Sequence, residues 1–386
     1  MDGPDFDHIV VGAGLSGLLL AQSLLGAHQG RPDHPSGPRV LLVDPRPADD
    51  KPVTYAFWTQ RPTVLDRWQI GTWHELDVVG HDRRTRPLDL GRWRYCAIDW
   101  GRGRADLLEQ MSADPRVTVL HERVDAVASD DRSAHVSAGG QRLSARWAYD
   151  SRPASMADLK AEMRPNARGV VLAQAFRGAW VMTDKDVLDC SAATLLDFSA
   201  DDGDDLGFSY VLPVSPRSAM VMAVRMGATS ELPDPLPTIP RVVGSAAWTV
   251  RAEEQGVTPL FVPQPPRRTG QRVLAIGRRG GRVRASTGYA VLRILADTAA
   301  IQRSLDTHGH PFAIAPDPGW QRALDRIWLQ ALRRERADLE PAFLSLFTRA
   351  SVDTVLRFLD GEARARDVVR VVGALPPRPF LRALVG

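Results

Sequence analysis

Lysine and cysteine are nearly absent from this chain of 386 residues. Lys51, Lys160 and Lys185 are its lysines, so almost all of the 49 basic residues are arginine, and the net charge is only +3. An arginine-rich, alanine-rich balance of this kind reflects a GC-rich genome more than a nucleic-acid partner. The basic clusters lack the interleaved aromatics of a single-strand platform, so no nucleic-acid partner is expected. The two cysteines, Cys96 and Cys190, have no metal-ligand spacing, which argues against a zinc site and a disulfide framework. They read as buried thiols in a reducing compartment. No apolar run approaches the ~20 residues of a membrane span. The first strand begins near residue 7, which leaves no room for a cleavable leader, so a cytoplasmic protein is expected. Internal repeats and low-complexity stretches are also lacking.

What is present begins at Asp7-His8-Ile9-Val10-Val11-Gly12-Ala13-Gly14-Leu15-Ser16-Gly17. An apolar, β-branched run enters a Gly-x-Gly-x-x-Gly turn and leaves on a helix-forming pattern, the context that gives this motif its meaning. Gly12 permits the tight turn, Gly14 lets a pyrophosphate come close to the backbone, and Gly17 lets the helix pack on the strand. The helix N-terminus then offers free N–H groups to phosphates. A second strand, Arg39–Val43, ends at Asp44, placed for a ribose hydroxyl.

The polar insertion His28–Pro38 interrupts this β-α-β unit. Leu88–Leu90 and Trp93–Tyr95 read as short strands that pair around Gly91. Arg104–Ser112 reads as a helix and Val117–Leu120 as a further nucleotide-domain strand. Ala126–Trp147 suggests a meander that turns at Gly139-Gly140. Residues 170–228 are dominated by strand-like runs, with Asp201–Gly207 as a hairpin loop, and suggest a mixed sheet that covers a ligand. Residues 290–386 are mainly helical by periodicity.

A second strand-then-glycine segment, Arg272–Gly281, leads through Ser286-Thr287-Gly288-Tyr289 into a helix. Two such elements argue for FAD over a nicotinamide cofactor, because a chain that returns late can meet the flavin end of the dinucleotide. Gly12, Gly14, Gly17, Asp44, Gly277, Gly280, Gly281, Thr287 and Gly288 are the expected cofactor contacts. Arg278, Arg279, Arg282 and Arg284 suit either phosphates or an anionic membrane surface.

Thr54-Tyr55-Ala56-Phe57-Trp58, Tyr149-Asp150-Ser151-Arg152-Pro153, Gln174-Ala175-Phe176, Thr194–Phe198, Phe208–Ser215, Gly277–Ile294, Val355–Asp360 and Leu375–Leu381 follow in order. Together with the first glycine turn, they make the chain resemble the bacterial FAD-dependent lycopene cyclase family. The resemblance implies an α/β fold with a glutathione-reductase-like, Rossmann-type FAD domain (residues 1–60, 96–155 and 265–300). A β-rich substrate domain (61–95 and 156–264) and a helical C-terminal part (301–386) complete it. It implies a flavoprotein of isoprenoid or specialised metabolism that cyclises or isomerises a hydrophobic terpenoid or carotenoid-like substrate through a carbocation. FAD is expected in the reduced form, with NAD(P)H as its reductant. Such a site needs a dry apolar tunnel, a carboxylic acid of raised pKa and electron-rich groups facing the cation.

Trp58, Trp180, Phe208 and Tyr210 are candidate lining groups, with ordinary core packing as the alternative. The family glutamate aligns with Met222, a thioether that cannot donate a proton. Asp197, at the end of an apolar strand, is the first candidate for a replacement acid, against a purely structural carboxylate; His74 is the second. Two other classes stay open: a flavin monooxygenase or prenyl reductase, and a flavin- or terpenoid-binding protein without catalysis. The segment from Leu375 to Val385 suits peripheral contact with a membrane, or a helix packed on the domain.

Overall fold

The opening run folds as expected, into β1 (Phe6–Val11), whose last four residues are buried. It leads into α1 (Leu15–Gly26), which buries eight of its twelve residues. The computed structural model describes residues 4–26, 37–47, 51–153, 156–157, 159, 169–199, 205–334 and 339–385. Most of the insertion His28–Pro38, most of the loop Asp201–Gly207, and Lys160 lie outside the described residues. β2 (Val40–Val43), buried throughout, lies parallel to β1, and β8 (Val117–Leu120) lies parallel to β2. On the other side of β1 stands β11 (Gln141–Asp150), also parallel. The first half of β11 closes the expected meander with β9 (Val124–Ser129) and β10 (Ala134–Ala138). Its second half pairs in parallel with β17 (Val273–Ala275). The ends of β1, β11 and β17 therefore meet at one edge of the seven-stranded sheet, where ligands bind in doubly wound folds. α2 (Trp100–Ala113) and α4 (Val291–His308) pack against α1.

A three-stranded sheet, β3 (Thr54–Thr59), β7 (Arg94–Asp99) and β4 (Gln69–Trp73), carries many of the aromatics. The expected hairpin around Gly91 does not form. β6 (Thr85–Asp89) pairs with β5 (Glu75–Val79) in a different sheet, while β7 pairs with β3 and β4. The turn at Gly91 passes the chain between sheets, because the apolar face of β7 is buried better against β3 than β6 could bury it.

The third sheet has seven strands. It comprises β12 (Val170–Thr183), β13 (Ala192–Asp197), β14 (Leu206–Ser215), β15 (Ser218–Gly227) and β16 (Trp248–Val262), with β5 and β6 at one edge. Only β13 and β5 run parallel, so it is the mixed sheet the sequence suggested. Side chains alternate across it. Ala179, Val181, Val211 and Val221 face the short helix α3 (Ile239–Val243). Leu212, Met220, Val224 and Phe208 face the C-terminal helices. Those helices are α5 (Gly319–Arg334), α6 (Leu339–Arg349), α7 (Val352–Asp360), α8 (Ala365–Ala374) and α9 (Pro377–Val385). α9 packs on α5, with Trp328 and Phe380 stacked at 6.0 Å. Among the described residues, no helix is long and apolar enough to cross a membrane, and both cysteines are free thiols.

Candidate active site

At the edge where the parallel strands end, the three glycines of the first turn serve three different needs. Gly12 has φ +98°, and a Cβ there would collide with Ser151 Oγ, which donates to Val11 O at 2.6 Å. A Cβ on Gly17 would strike the carbonyl oxygen of Gly12, so helix and turn could not close. Gly14 has open space where its Cβ would stand, and that space belongs to a large cavity.

Asp44 lines the same cavity. Its Oδ2 accepts from Ala13 N at 2.6 Å and from Arg46 Nη2 at 3.0 Å, while Oδ1 accepts from Arg46 N and Nε. Burial works against the charge on Asp44, but the hydrogen bonds from Arg46 and Ala13 outweigh it and hold the carboxyl below its usual range. All four lone-pair positions are thus taken, so a ribose hydroxyl would have to displace Arg46, whose side chain is 59% exposed. Arg104 braces the turn from behind, with hydrogen bonds to the carbonyls of Ala13, Arg46 and Pro47.

The second glycine segment closes the far side. Gly277 (φ +57°) meets Ser16 of α1, and Gly280 packs on the backbone of Ala275. Gly281 (φ +69°) passes Gln264, and Gly288 (φ +75°) leaves no room for a Cβ beside Gln174. Thr287 Oγ1 accepts from Tyr289 N, which tightens the turn into α4. Between the two turns lies a cavity of 980 Å³, at the top of the ~300–1,000 Å³ range for ligand sites. Arg46, Arg123, Arg152, Arg278 and Arg279 line it, a cationic wall suited to a pyrophosphate. Burial lowers the Arg278 guanidinium pKa, and nearby Tyr55 opposes that shift. Arg152 and Arg279 also grip the buried Asp150 at 3.0 and 3.1 Å. Open space at Gly14, a helix N-terminus and this charge fit a flavin adenine dinucleotide.

Inward from Tyr289, which lines the cavity, stands a group of aromatic rings. Trp58 and Tyr289 meet edge to face at 4.7 Å, and Trp58 lies 6.3 Å from Tyr95. Tyr210 interacts with Tyr289 through a side-chain hydrogen bond and with Phe208 at 5.3 Å. Burial pushes the Tyr210 phenol up to about 12 and raises Tyr289 and Tyr95 well above the usual phenol value. These rings therefore stay neutral and electron-rich at ordinary pH. Met222 lies directly across the β14–β15 pairing from Tyr210. Trp180 turns away, donating from Nε1 at 3.0 Å to Glu254, a buried carboxylate that also takes Thr54 N and Oγ1 at 2.7 Å each. Glu254 thereby joins β16 to β3.

The arrangement brings Trp58, Tyr210, Phe208 and Met222 together but leaves the two expected acids outside. Asp197 accepts from Ser199 and pairs with Arg241 at 3.1 Å, and lines neither this cavity nor the apolar one among the C-terminal helices. His74 is exposed in the connection between β4 and β5. Asp360 is the acid that the sequence reading missed. It closes α7 one residue after the buried Leu359 and four after the buried Leu356. An acid on the apolar stripe of an amphipathic helix was the available signal.

On the other side of the Arg284–Tyr289 turn lies that apolar cavity, of 260 Å³. Leu324, Trp328, Phe343, Leu346, Phe358 and Phe380 supply much of its wall, and Ser286 and Thr287 its floor. Arg284, nearly fully buried there, pairs with Asp325 at 3.3 Å.

A family model described as lycopene cyclase protein matches residues 7–385. The lycopene beta-cyclase of Pantoea ananas is 27% identical, over 99% of this chain and 97% of its own. Two solved structures share the fold. A flavoprotein/dehydrogenase from Cytophaga hutchinsonii has a TM-score of 0.61 at 11% identity, covering 98% of both chains. A geranylgeranyl bacteriochlorophyll reductase-like protein from Thermoplasma acidophilum has a TM-score of 0.58 at 11% identity, with the same coverage. The ordered motifs, the doubly wound sheet with its two glycine turns and the match along almost the whole chain agree: the chain belongs to the lycopene cyclase family.

Proposed function

We propose that this protein is an FAD-dependent, non-redox cyclase or isomerase of an isoprenoid, acting through a carbocation. The observation that carries the reading is the aromatic cage of Trp58, Tyr95, Tyr210 and Tyr289, set between the dinucleotide-type cavity and a dry apolar cavity. A hydroxylase has little use for such a cage, whereas a tertiary carbocation is stabilised by ring faces, by ~0.5–2 kcal/mol or more per ring when desolvated. The apolar cavity would hold the isoprenoid chain, and its walls exclude the water that would trap the cation.

The Gly12–Gly17 turn, Asp44 and the arginines of the cationic wall would hold FAD, and Gly277, Gly280, Gly281, Thr287 and Gly288 shape the turn beneath its flavin end. Bound there in reduced form, with NAD(P)H as reductant, it supplies negative charge beside the cation. Phe208 and Met222 complete the wall, while Trp180, through Glu254, fixes the spacing between the sheets. Asp197 and His74 have no role in this reading. Leu381, exposed on α9 near Arg378, suits peripheral contact with a membrane from which an isoprenoid could be drawn.

The test is anaerobic incubation of the FAD-loaded enzyme, chemically reduced, with lycopene and with shorter prenylated compounds. A product isomeric with its substrate is expected. A product that gains oxygen, or gains or loses two hydrogens, would refute the non-redox reading in favour of a monooxygenase or prenyl reductase. Tight binding without any product would favour a binding protein.

A further inference from the structure

Cyclisation of this kind requires a proton donor inside the cage. On the basis of the function proposed above, we infer that Asp360 is the general acid that protonates the terminal alkene of the isoprenoid. The residue ends α7 and is followed by Gly361, whose φ of +84° turns the chain sharply away. Its carboxyl interacts with the indole N–H of Trp58, the edge-to-face partner of Tyr289. That contact falls outside full hydrogen-bond geometry, and Trp58 Nε1 is a buried donor with no other partner. On its opposite side, Asp360 lines a polar cavity of 470 Å³ together with Arg282, Arg293, Asp317 and Glu362. The acid thus stands between a polar space that can resupply protons and the aromatic rings where a cation would form.

The surrounding charges favour the protonated form. Arg284 and Arg293 face Asp360, but Arg284 is committed to Asp325 at 3.3 Å and Arg293 to Asp317 at 2.7 Å. Arg282, a further lining group of the polar cavity, is committed to Asp317 at 3.2 Å. Glu362 adds a like charge. Tyr289, held neutral by burial, offers no cation. Burial, aided by Glu362, pushes the Asp360 carboxyl up to about 8, against the pull of Arg284, Trp58 and Arg293.

The step balances without a redox change. The Asp360 O–H bond breaks as a C–H bond forms at the less substituted alkene carbon, leaving a carboxylate and a tertiary cation. An internal alkene attacks the cation and closes the ring. A ring C–H proton then returns to the Asp360 carboxylate, the C=C bond re-forms, and the product is an isomer. Met222 occupies the sheet wall of the cage, so here the acid reaches the substrate from the helical wall.

The test compares FAD-loaded wild type with Asp360→Asn and Asp360→Glu. Turnover should fall at least ~100-fold in D360N, with partial recovery in D360E. FAD absorbance and isoprenoid quenching of tryptophan fluorescence should persist in D360N. Wild-type turnover should decline as pH rises through about 8. Without substrate, wild type should show an infrared carbonyl band of a protonated carboxyl that titrates in the same range and is missing from D360N. D360N turnover within a few-fold of wild type would overturn the assignment and leave the cyclase reading standing. So would loss of FAD or of the ligand quench in D360N, which would make Asp360 structural. A wild type that carries the titrating band yet makes no isomer would refute the cyclase reading, and the catalytic assignment with it.

Discussion

Replacing Asp360 by asparagine should change how the stability of the fold depends on pH. The carboxyl is raised from an ordinary value of 3.8 to about 8, chiefly by burial. Four units at 1.36 kcal/mol each correspond to ~5 kcal/mol between the two protonation states. Between roughly pH 4 and pH 8, the folded chain keeps a proton that the unfolded chain releases. Stability therefore falls as pH rises through that window and levels off above it. Water in the adjoining polar cavity screens part of this, so a loss of ~2–5 kcal/mol is expected. D360N keeps the volume and removes the titration. Thermal unfolding of both proteins, followed by tryptophan fluorescence at fixed FAD concentration between about pH 5 and pH 9, should show their melting curves separating as pH rises. The variant should be the more stable at the alkaline end. Parallel curves would mean that Asp360 ionises freely in the fold, and the argument from its burial would fail.

Gly14→Ala should leave stability unchanged and weaken FAD retention, because the methyl enters cofactor space. Gly17→Ala should cost ~1–3 kcal/mol or more, because the methyl meets the Gly12 carbonyl; paired cofactor titrations and melts would separate the two effects. Ala342→Phe fills the apolar cavity and should raise KM for isoprenoids while the bound FAD spectrum stays the same; an unchanged KM would place the chain elsewhere. Asp197→Asn should retain turnover and lose no more than the ~1 kcal/mol of a partly exposed ion pair, so a large loss of turnover would return the acid to Asp197.

The parts of the fold that were legible in the sequence are those fixed by local pattern. The β-branched run before Gly12, the helical spacing after residue 290 and the glycine pair at 139–140 each constrain the backbone within a few residues. The hairpin expected around Gly91 was misread because alternation sets a strand's faces but not its partner, and the partners of Trp93–Tyr95 lie on β3 and β4. The two glycine turns were found because only glycine can satisfy their positive φ and close approaches. Asp44 was found too, but not its clasp by Arg46, because a side chain two residues away leaves no pattern. Asp197 looked like a buried acid at a strand end. Its partner Arg241 comes from another element, and no local signal joins them. Asp360 could have been read from its place on the apolar stripe of a helix, but an acid just before a terminating glycine fits an ordinary solvated helix end equally well.

The carboxylate of Glu254 has a consequence for how a large substrate gets in. Prising β3 from β16 would strip a buried anion of its donors from Thr54 and Trp180. At ~1.5–3 kcal/mol for each hydrogen bond to a charged group, that separation is far rarer than a shift of C-terminal helices held by apolar contacts. The molecule therefore behaves as a box with a riveted back and a hinged front. Its floor and rear wall keep their spacing to fractions of an ångström, while the helical front does the breathing. Variation in substrate length among related chains should accordingly fall on α5 to α9 and leave the riveted wall alone.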